Sequence, residues 1–397
     1  MFALLVFAGT RVFSADRSAA TFVGAVTIVP TATRAPAPVS ASSGLTATVA
    51  SVLVAPVQRQ PNASATAPVI VHTPVAAPAA TPTTHAVAPP VITPDRAFIE
   101  GIVHQQQTWN NCGPANMSML LQHFGETSTQ REAARFLKPV RDDKNVSPNE
   151  MVAYAQSLGF RARWIVGADV NLIKAFIANG LPVIAETWYV PHPNDEMGHY
   201  ELVHGYDGDT LIVDDSYEGA GQRLDAVAWD ELWRVFNRTL IVVWKPEQEA
   251  LVQRLLGSLW NEAAMHKAAF ESARNDVELD PSDKFGWFNM GSGLLALGDA
   301  AGATTAFDKA DSLKLPWRML WYQHGMYQAH YAAGNYDQVI KLANRSLKAT
   351  GDLEESYYWR GMALLAKGKK FDAKRDFAIA VKLNPNYFAT VEALKAL

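Results

Sequence analysis

Hydrophobic and polar positions change their period several times along the chain, and each change marks an element. Residues 116–124 place Met117, Met119, Leu120, Leu121 and Phe124 at helical spacing, directly behind Asn111-Cys112-Gly113-Pro114. A helix is predicted to begin at about 112–114, with Pro114 in a first turn where its missing N–H costs little. A second helix opens at Ser147-Pro148-Asn149-Glu150, with an N-cap serine, a first-turn proline and an acidic N3 residue, and closes at Gly159. Residues 160–166 alternate Phe160, Ala162, Trp164 and Val166 with Arg161 and Arg163, the pattern of a half-buried strand. Another helix is expected over 171–179, and 181–188 reads as a buried strand. Strands at 199–206 and 210–215 flank Asp207-Gly208-Asp209, a strong hairpin signal, and a last strand spans 239–244. Helices in front and antiparallel strands behind make an α+β domain over 98–246.

Beyond residue 250 the pattern is helical throughout and recurs at about 34 residues. Tyr357, Gly361, Leu364, Gly368, Ala373, Phe377, Ala380 and Pro385 define one unit, and Trp287, Gly291, Leu294, Gly298, Ala303, Phe307 and Ala310 match it. A weaker copy from about 320 holds Tyr327, Gly334, Tyr336, Val339 and Ala343, and a degenerate one from about 250 keeps Gly257, Trp260, Ala269, Ala273 and Pro281. Small residues at these offsets let two helices approach, aromatics fill the groove between neighbouring hairpins, and no unit is stable alone. The pattern resembles the tetratricopeptide repeat (TPR) family. It implies an all-α solenoid of about four units over 250–397 whose groove binds a protein partner.

Composition divides the chain. Residues 17–97 are dominated by Ala, Pro, Thr, Val and Ser, too poor in bulky apolar side chains for a core, whereas all eleven tryptophans lie further on. The stretch 16–97 reads as a disordered tether. Within an expected hydrophobic or signal segment at 1–15, residues 1–9 form an apolar run of the length of a signal-peptide core, without a basic stretch before it, and small residues at 14–15 suit cleavage, so an exported or cell-surface protein is expected, with a cytoplasmic one the alternative. Nothing later approaches the roughly 20 apolar residues of a membrane span. The net charge of −4 gives no electrostatic footprint for nucleic acid.

The one cysteine, Cys112, rules out an internal disulfide framework and stands where a helix N-terminus would favour its thiolate. Papain-type chemistry needs a helix-start Cys, a facing His, a group that orients the His, and an oxyanion donor. Gln106, six residues upstream, can supply its amide together with the Cys112 backbone N–H. His199 opens the first hairpin strand, and Asp214 and Asp215 close the second. Pairing parity leaves two choices. A three-residue loop pairing Tyr206 with Thr210 puts Asp215 on the His199 face, and a two-residue Asp207-Gly208 loop puts Asp214 there. His204 falls on the opposite face of its strand and reads as structural; His104 and His192 fall in loops. The Cys-Gly-Pro motif lacks the second cysteine and histidine pairs of a zinc site, and no cofactor is called for.

These residues resemble the bacteriocin-processing, double-glycine-leader cysteine peptidases, and more closely their stand-alone peptidase-like relatives in exported bacterial proteins. The likeness rests on Gln106, Asn111 to Ala115, Gly180 to Ile184, Gly198-His199-Tyr200 and the Asp215-to-Gly219 string. It implies a papain-like fold with Cys112 as nucleophile, His199 as base and acid, Asp215 as its orienter and Gln106 in the oxyanion hole. The His-to-Asp spacing of sixteen is what that family leads one to expect, and it favours Asp215. No transporter region follows, so an export role is not implied. The functional expectation is a thiol peptidase acting on a peptide or protein, carried beside a protein-binding array. The competing expectation is a catalytically silent, peptide-binding domain of the same fold.

Overall fold

The computed structural model describes residues 93–140, 143–193 and 195–397. The apolar start and almost all of the expected tether lie outside the described residues. Seven antiparallel strands form one sheet: β1 (Arg96–Phe98), β2 (Arg161–Ile165), β3 (Val183–Tyr189), β4 (Met197–Asp207), β5 (Thr210–Asp215), β6 (Gly219–Asp225) and β7 (Leu240–Trp244). Their order is β2-β7-β3-β4-β5-β6, and β1 pairs with the far end of β4, beyond the stretch paired with β3. Five helices cover the sheet: α1 (Cys112–His123), α2 (Gln130–Leu137), α3 (Pro148–Ser157), α4 (Val170–Ala178) and α5 (Ala226–Trp233).

Both sheet faces are buried, which explains the sequence of β7. Leu240, Val242 and Trp244 enter a core with Ile173 and Phe176 of α4, while Ile241 and Val243 enter a second core with Met117 and Leu120 of α1. A strand buried on both sides reads as an unbroken apolar run. α3 starts where its capping box predicts: the Glu150 N–H donates to Ser147 Oγ, and the Ser147 N–H donates back to Glu150 Oε2 at 2.7 Å. Three elements escape the periodicity reading. β1 is only three residues long, β6 is largely polar, and α2 announces itself only by the Thr129–Glu132 capping box.

The chain continues as helices α6 (Glu249–Leu256), α7 (Glu262–Leu279), α8 (Lys284–Ala296), α9 (Ala300–Ser312), α10 (Met319–Tyr322), α11 (Gly325–Ala332), α12 (Tyr336–Ala349), α13 (Glu354–Ala366), α14 (Lys370–Leu383) and α15 (Phe388–Lys395). α8 packs on α9 and α13 on α14 through the same device. A Cβ on Gly291 would stand 2.9 Å from the Phe307 ring, and one on Gly361 would stand 2.6 Å from Phe377. The intervening unit inverts the pair: Tyr327 is the large member, Ala343 the small one, and both lie in one core. That inversion explains its faint sequence signal. Among the described residues no helix is long and apolar enough to cross a membrane.

The helical region is built into the sheet region. Val252, Leu255 and Leu256 of α6 and Met265 and Ala269 of α7 enter the α4 core. Trp188, Val235 and Phe236 share another core with Phe288, Phe307, Met319 and Leu320. Polar contacts reinforce the junction: Arg234 bonds Asp283 at 2.6 Å, and Asn289 Nδ2 donates to the Arg234 carbonyl at 2.7 Å.

Candidate active site

Cys112 is the first residue of α1, so its sulfur sits among the unpaired N–H groups of the first turn. The entry is set by Asn110, whose φ of +50° is a left-handed conformation that asparagine tolerates better than most residues. Its side-chain amide donates to the Asp143 and Lys144 carbonyls at 3.0 and 3.3 Å. Gly113 permits close packing behind the cysteine, because a Cβ there would stand 3.3 Å from Val146. Asn116, one turn on, donates to the Tyr200 carbonyl at 2.7 Å and ties α1 to β4 beside the site.

His199 lies near the start of β4, 5% exposed, and its Nε2 is 2.9 Å from Asp215 Oδ1. That leaves the other ring nitrogen for Cys112, with which the imidazole interacts by hydrogen bond and charge. Asp215 Oδ1 also accepts the backbone N–H groups of Tyr217 and Glu218, at 2.7 and 3.1 Å. Asp214 points elsewhere: its Oδ1 lies 3.2 Å from His204 Nε2 and accepts the Gly221 N–H. His204 thus holds a second His–Asp pair away from the thiol. His104, on the loop before α1, contacts the Asp215 carbonyl through Nε2 at 2.9 Å.

The hairpin loop is shorter than the three residues that would place Asp215 on the His199 face by parity alone. Asp207 pairs with Thr210, so only Gly208 and Asp209 form the loop, yet the register steps by one between Val203 and Gly205. The step leaves Val203 opposite Val213 and carries Asp215 onto the His199 face.

The electrostatics follow from these contacts. Burial acts to raise the Cys112 pKa, but His199 and the backbone N–H groups of Tyr200 and Gly113 bring it below the ordinary thiol value. Burial acts to lower the His199 pKa, and bonding to Asp215 and Cys112 overrides it, holding the imidazole well above its usual range. Burial likewise opposes ionisation of Asp215, whose bonds to His199 and two backbone N–H groups leave its pKa below the usual carboxylate value. The three groups therefore favour thiolate, imidazolium and carboxylate together.

A cavity of about 720 Å³ opens on this trio. Gln106 lines it; its Nε2 donates one proton to the Tyr217 carbonyl at 2.7 Å and has a second to offer. Gln105 bonds Ser118, and Gln107 accepts from Ser216, so of the three glutamines these two are tied into the scaffold. The remaining wall includes groups the sequence pattern did not single out. Glu186 stands in β3, and Arg318 and Tyr322 reach in from the helical region. Glu186 was visible as the one charged residue in Val183–Tyr189; Arg318 and Tyr322 carried no such signal.

This fold and trio define a papain-like α+β domain. The Peptidase_C39 like family matches residues 99–241, so that segment of the chain is a peptidase C39-like domain. A C39-like peptidase from Bacillus anthracis shares 15% identity, covering 38% of this chain and 98% of its own, with a TM-score of 0.32. The peptidase domain of Streptococcus ComA, a bifunctional ABC transporter of a quorum-sensing pathway, shares 22% over 38% of this chain and 98% of its own, at a TM-score of 0.30. MamA from Desulfovibrio magneticus RS-1, residues 41 to the end, shares 20% over 37% of this chain and 80% of its own, at 0.31. No curated protein matches the chain.

Proposed function

We propose that this chain is a cysteine peptidase acting on a peptide or protein substrate. The observation that carries the reading is the contiguous Cys112–His199–Asp215 arrangement at the wall of a large cavity. Cys112 Sγ attacks the scissile carbonyl carbon and forms a C–S bond, and the carbonyl electrons move onto oxygen. The second amide proton of Gln106 and the Cys112 N–H receive that oxyanion. His199 passes its proton to the leaving nitrogen as the C–N bond breaks, leaving a thioester. A water molecule deprotonated by His199 then attacks the thioester, and as the C–S bond breaks the acid is released and the thiolate–imidazolium pair is restored. Asp215 keeps the imidazole oriented and favours its charged form throughout.

The helical region supports a TPR-type role in holding the substrate protein or a partner, because its Arg318 and Tyr322 wall the same cavity. The test is labelling of the full chain with iodoacetamide near pH 7, beside turnover of a peptide library. Rapid labelling of Cys112 that Cys112→Ser abolishes and His199→Ala slows by about tenfold or more supports a poised nucleophile. Folded protein that does not label refutes the enzyme. Labelling without turnover of any peptide leaves the silent, peptide-binding reading of the fold.

A further inference from the structure

Glu186 is the group in the cavity that the proposed chemistry leaves unused. Its side chain is 3% exposed, it lines the cavity, and its Oε2 is buried with no hydrogen-bond partner among the described residues. An unpaired buried carboxyl is costly and calls for an explanation; Asp143, Glu354 and Glu355 also bury unpaired oxygens, but Glu186 is the acid among them that lines this cavity. The other charged groups around the cavity are committed. Lys144 pairs with Asp352 at 3.5 Å, Arg318 with Asp195 at 2.6 Å, and His199 with Asp215.

Two tyrosines lie near Glu186. Tyr200 is its cross-strand neighbour on the same face of the sheet, and Tyr322 from α10 is close enough for the two groups' charges to interact. A cavity lined by a carboxyl and tyrosines suits a cation, which gains from the carboxylate and from aromatic rings together. Burial, and after it the nearby Cys112 charge, push the Glu186 pKa well above the ordinary carboxylate value and favour the neutral acid, and an entering ammonium or guanidinium would shift that balance toward the carboxylate. A neutral apolar side chain would leave the carboxyl as unsatisfied as before.

The geometry points to Glu186 as a specificity-determining residue that selects a lysine or arginine side chain of the substrate beside the scissile bond. The inference deepens the peptidase reading and rests on it.

Two peptidyl electrophiles identical except for lysine against norleucine, supplied to the full chain, test it. The readout is the ratio of their Cys112 alkylation rates within one variant, which cancels any change in thiol reactivity. The wild-type chain should favour the lysine probe by about tenfold or more. Glu186→Gln should bring the ratio near one, and Glu186→Leu should reverse it. Equal rates in the wild-type chain, with iodoacetamide still labelling Cys112, overturn the role of Glu186 and leave the peptidase reading standing. Failure of iodoacetamide to label overturns the peptidase reading instead. Glu186 is then judged by fluorescence polarisation with the lysine and norleucine peptide amides: tighter lysine binding that Glu186→Gln removes upholds the pocket, and equal binding overturns it.

Discussion

His199 is bonded to Asp215, not to Asp214, because β4 carries one more residue than β5 at His204. The neighbouring His204–Asp214 pair is the structural counterpart on the other side of that step. The two acids should separate cleanly. Asp215→Asn should slow iodoacetamide labelling of Cys112 by about tenfold or more, since the imidazolium loses its charged partner. Asp214→Asn should leave labelling within about threefold and lower stability by about 1–3 kcal/mol in denaturant unfolding. The reverse pattern of effects would refute both roles.

Thiol reactivity should depend on pH through the Cys112–His199 pair. Because the Cys112 pKa is lowered, the alkylation rate should reach its plateau below the roughly 8.5 of an unperturbed thiol, and fall only at lower pH. His199→Ala removes the lowering contacts and keeps the burial, so the midpoint should move up. Turnover also needs the imidazolium, whose pKa is raised, so its basic limb should lie above the ordinary histidine value near 6.5. A wild-type alkylation midpoint at or above about 8.5 contradicts the pairing.

Stability should fall as pH rises, through a cluster of acids at the junction of the two regions. Asp143 before α3 and Glu355 on α13 are pushed up to about 9 and about 8, chiefly by burial, and Glu150 and Glu354 are raised by the same cause. Lys138 and the Lys144–Asp352 pair face the same region. Groups whose folded pKa is raised bind more protons in the folded state, so their contribution is complete below about pH 4 and is lost toward about pH 8–9. The thermal midpoint should drop by several degrees between about pH 5 and 9, and Asp143→Asn with Glu355→Gln should flatten the decline. A midpoint that rises over that range would count against the cluster.

The repeat packing gives a mutation with a specific rescue. Gly361→Ala puts a methyl group 2.6 Å from Phe377 and should cost about 1–3 kcal/mol by overpacking. Phe377→Leu in the same chain should recover part of that loss. If Gly361→Ala alone proves neutral in thermal unfolding, α13 and α14 do not approach this closely.

Arg318 should connect the helical region to substrate handling. Its Nη1 donates to Asp195 Oδ1 at 2.6 Å and to the Glu196 carbonyl at 3.0 Å, steadying the loop before β4. Arg318→Ala should lower the reaction rate with a peptidyl electrophile by about tenfold, about the 1.4 kcal/mol expected of a charge-assisted bond. Iodoacetamide, too small to use the cavity wall, should be affected by less than about threefold. Equal loss with both reagents would mean a global disturbance instead.

Much of the architecture was legible because it is written in local periodicity. The α1 start at Cys112, the Ser147–Glu150 cap, the unbroken run of β7 and the recurring glycine–aromatic pairs of α8–α9 and α13–α14 depend on residues near one another in sequence. The site was legible as residue types in order. Its wiring was not: loop length alone predicts Asp214 for the two-residue loop that forms, and a bulge at His204 reverses the parity. Bulges carry little sequence signature, so the partner of His199 could be chosen only by family spacing.

The sequence by itself determined the helix that presents Cys112, the strands that carry His199 and Asp215, and the helical repeats behind them. These follow from the spacing of apolar side chains and from caps, whose energetics are local. Only the tertiary structure decided that Asp215 meets His199, that Glu186 lies unpaired at the cavity wall, and that Arg318 and Tyr322 complete that wall from a repeat whose first helix breaks at Gln323. Those relations join residues far apart in the chain, and they are set by strand register and by a core shared across two regions.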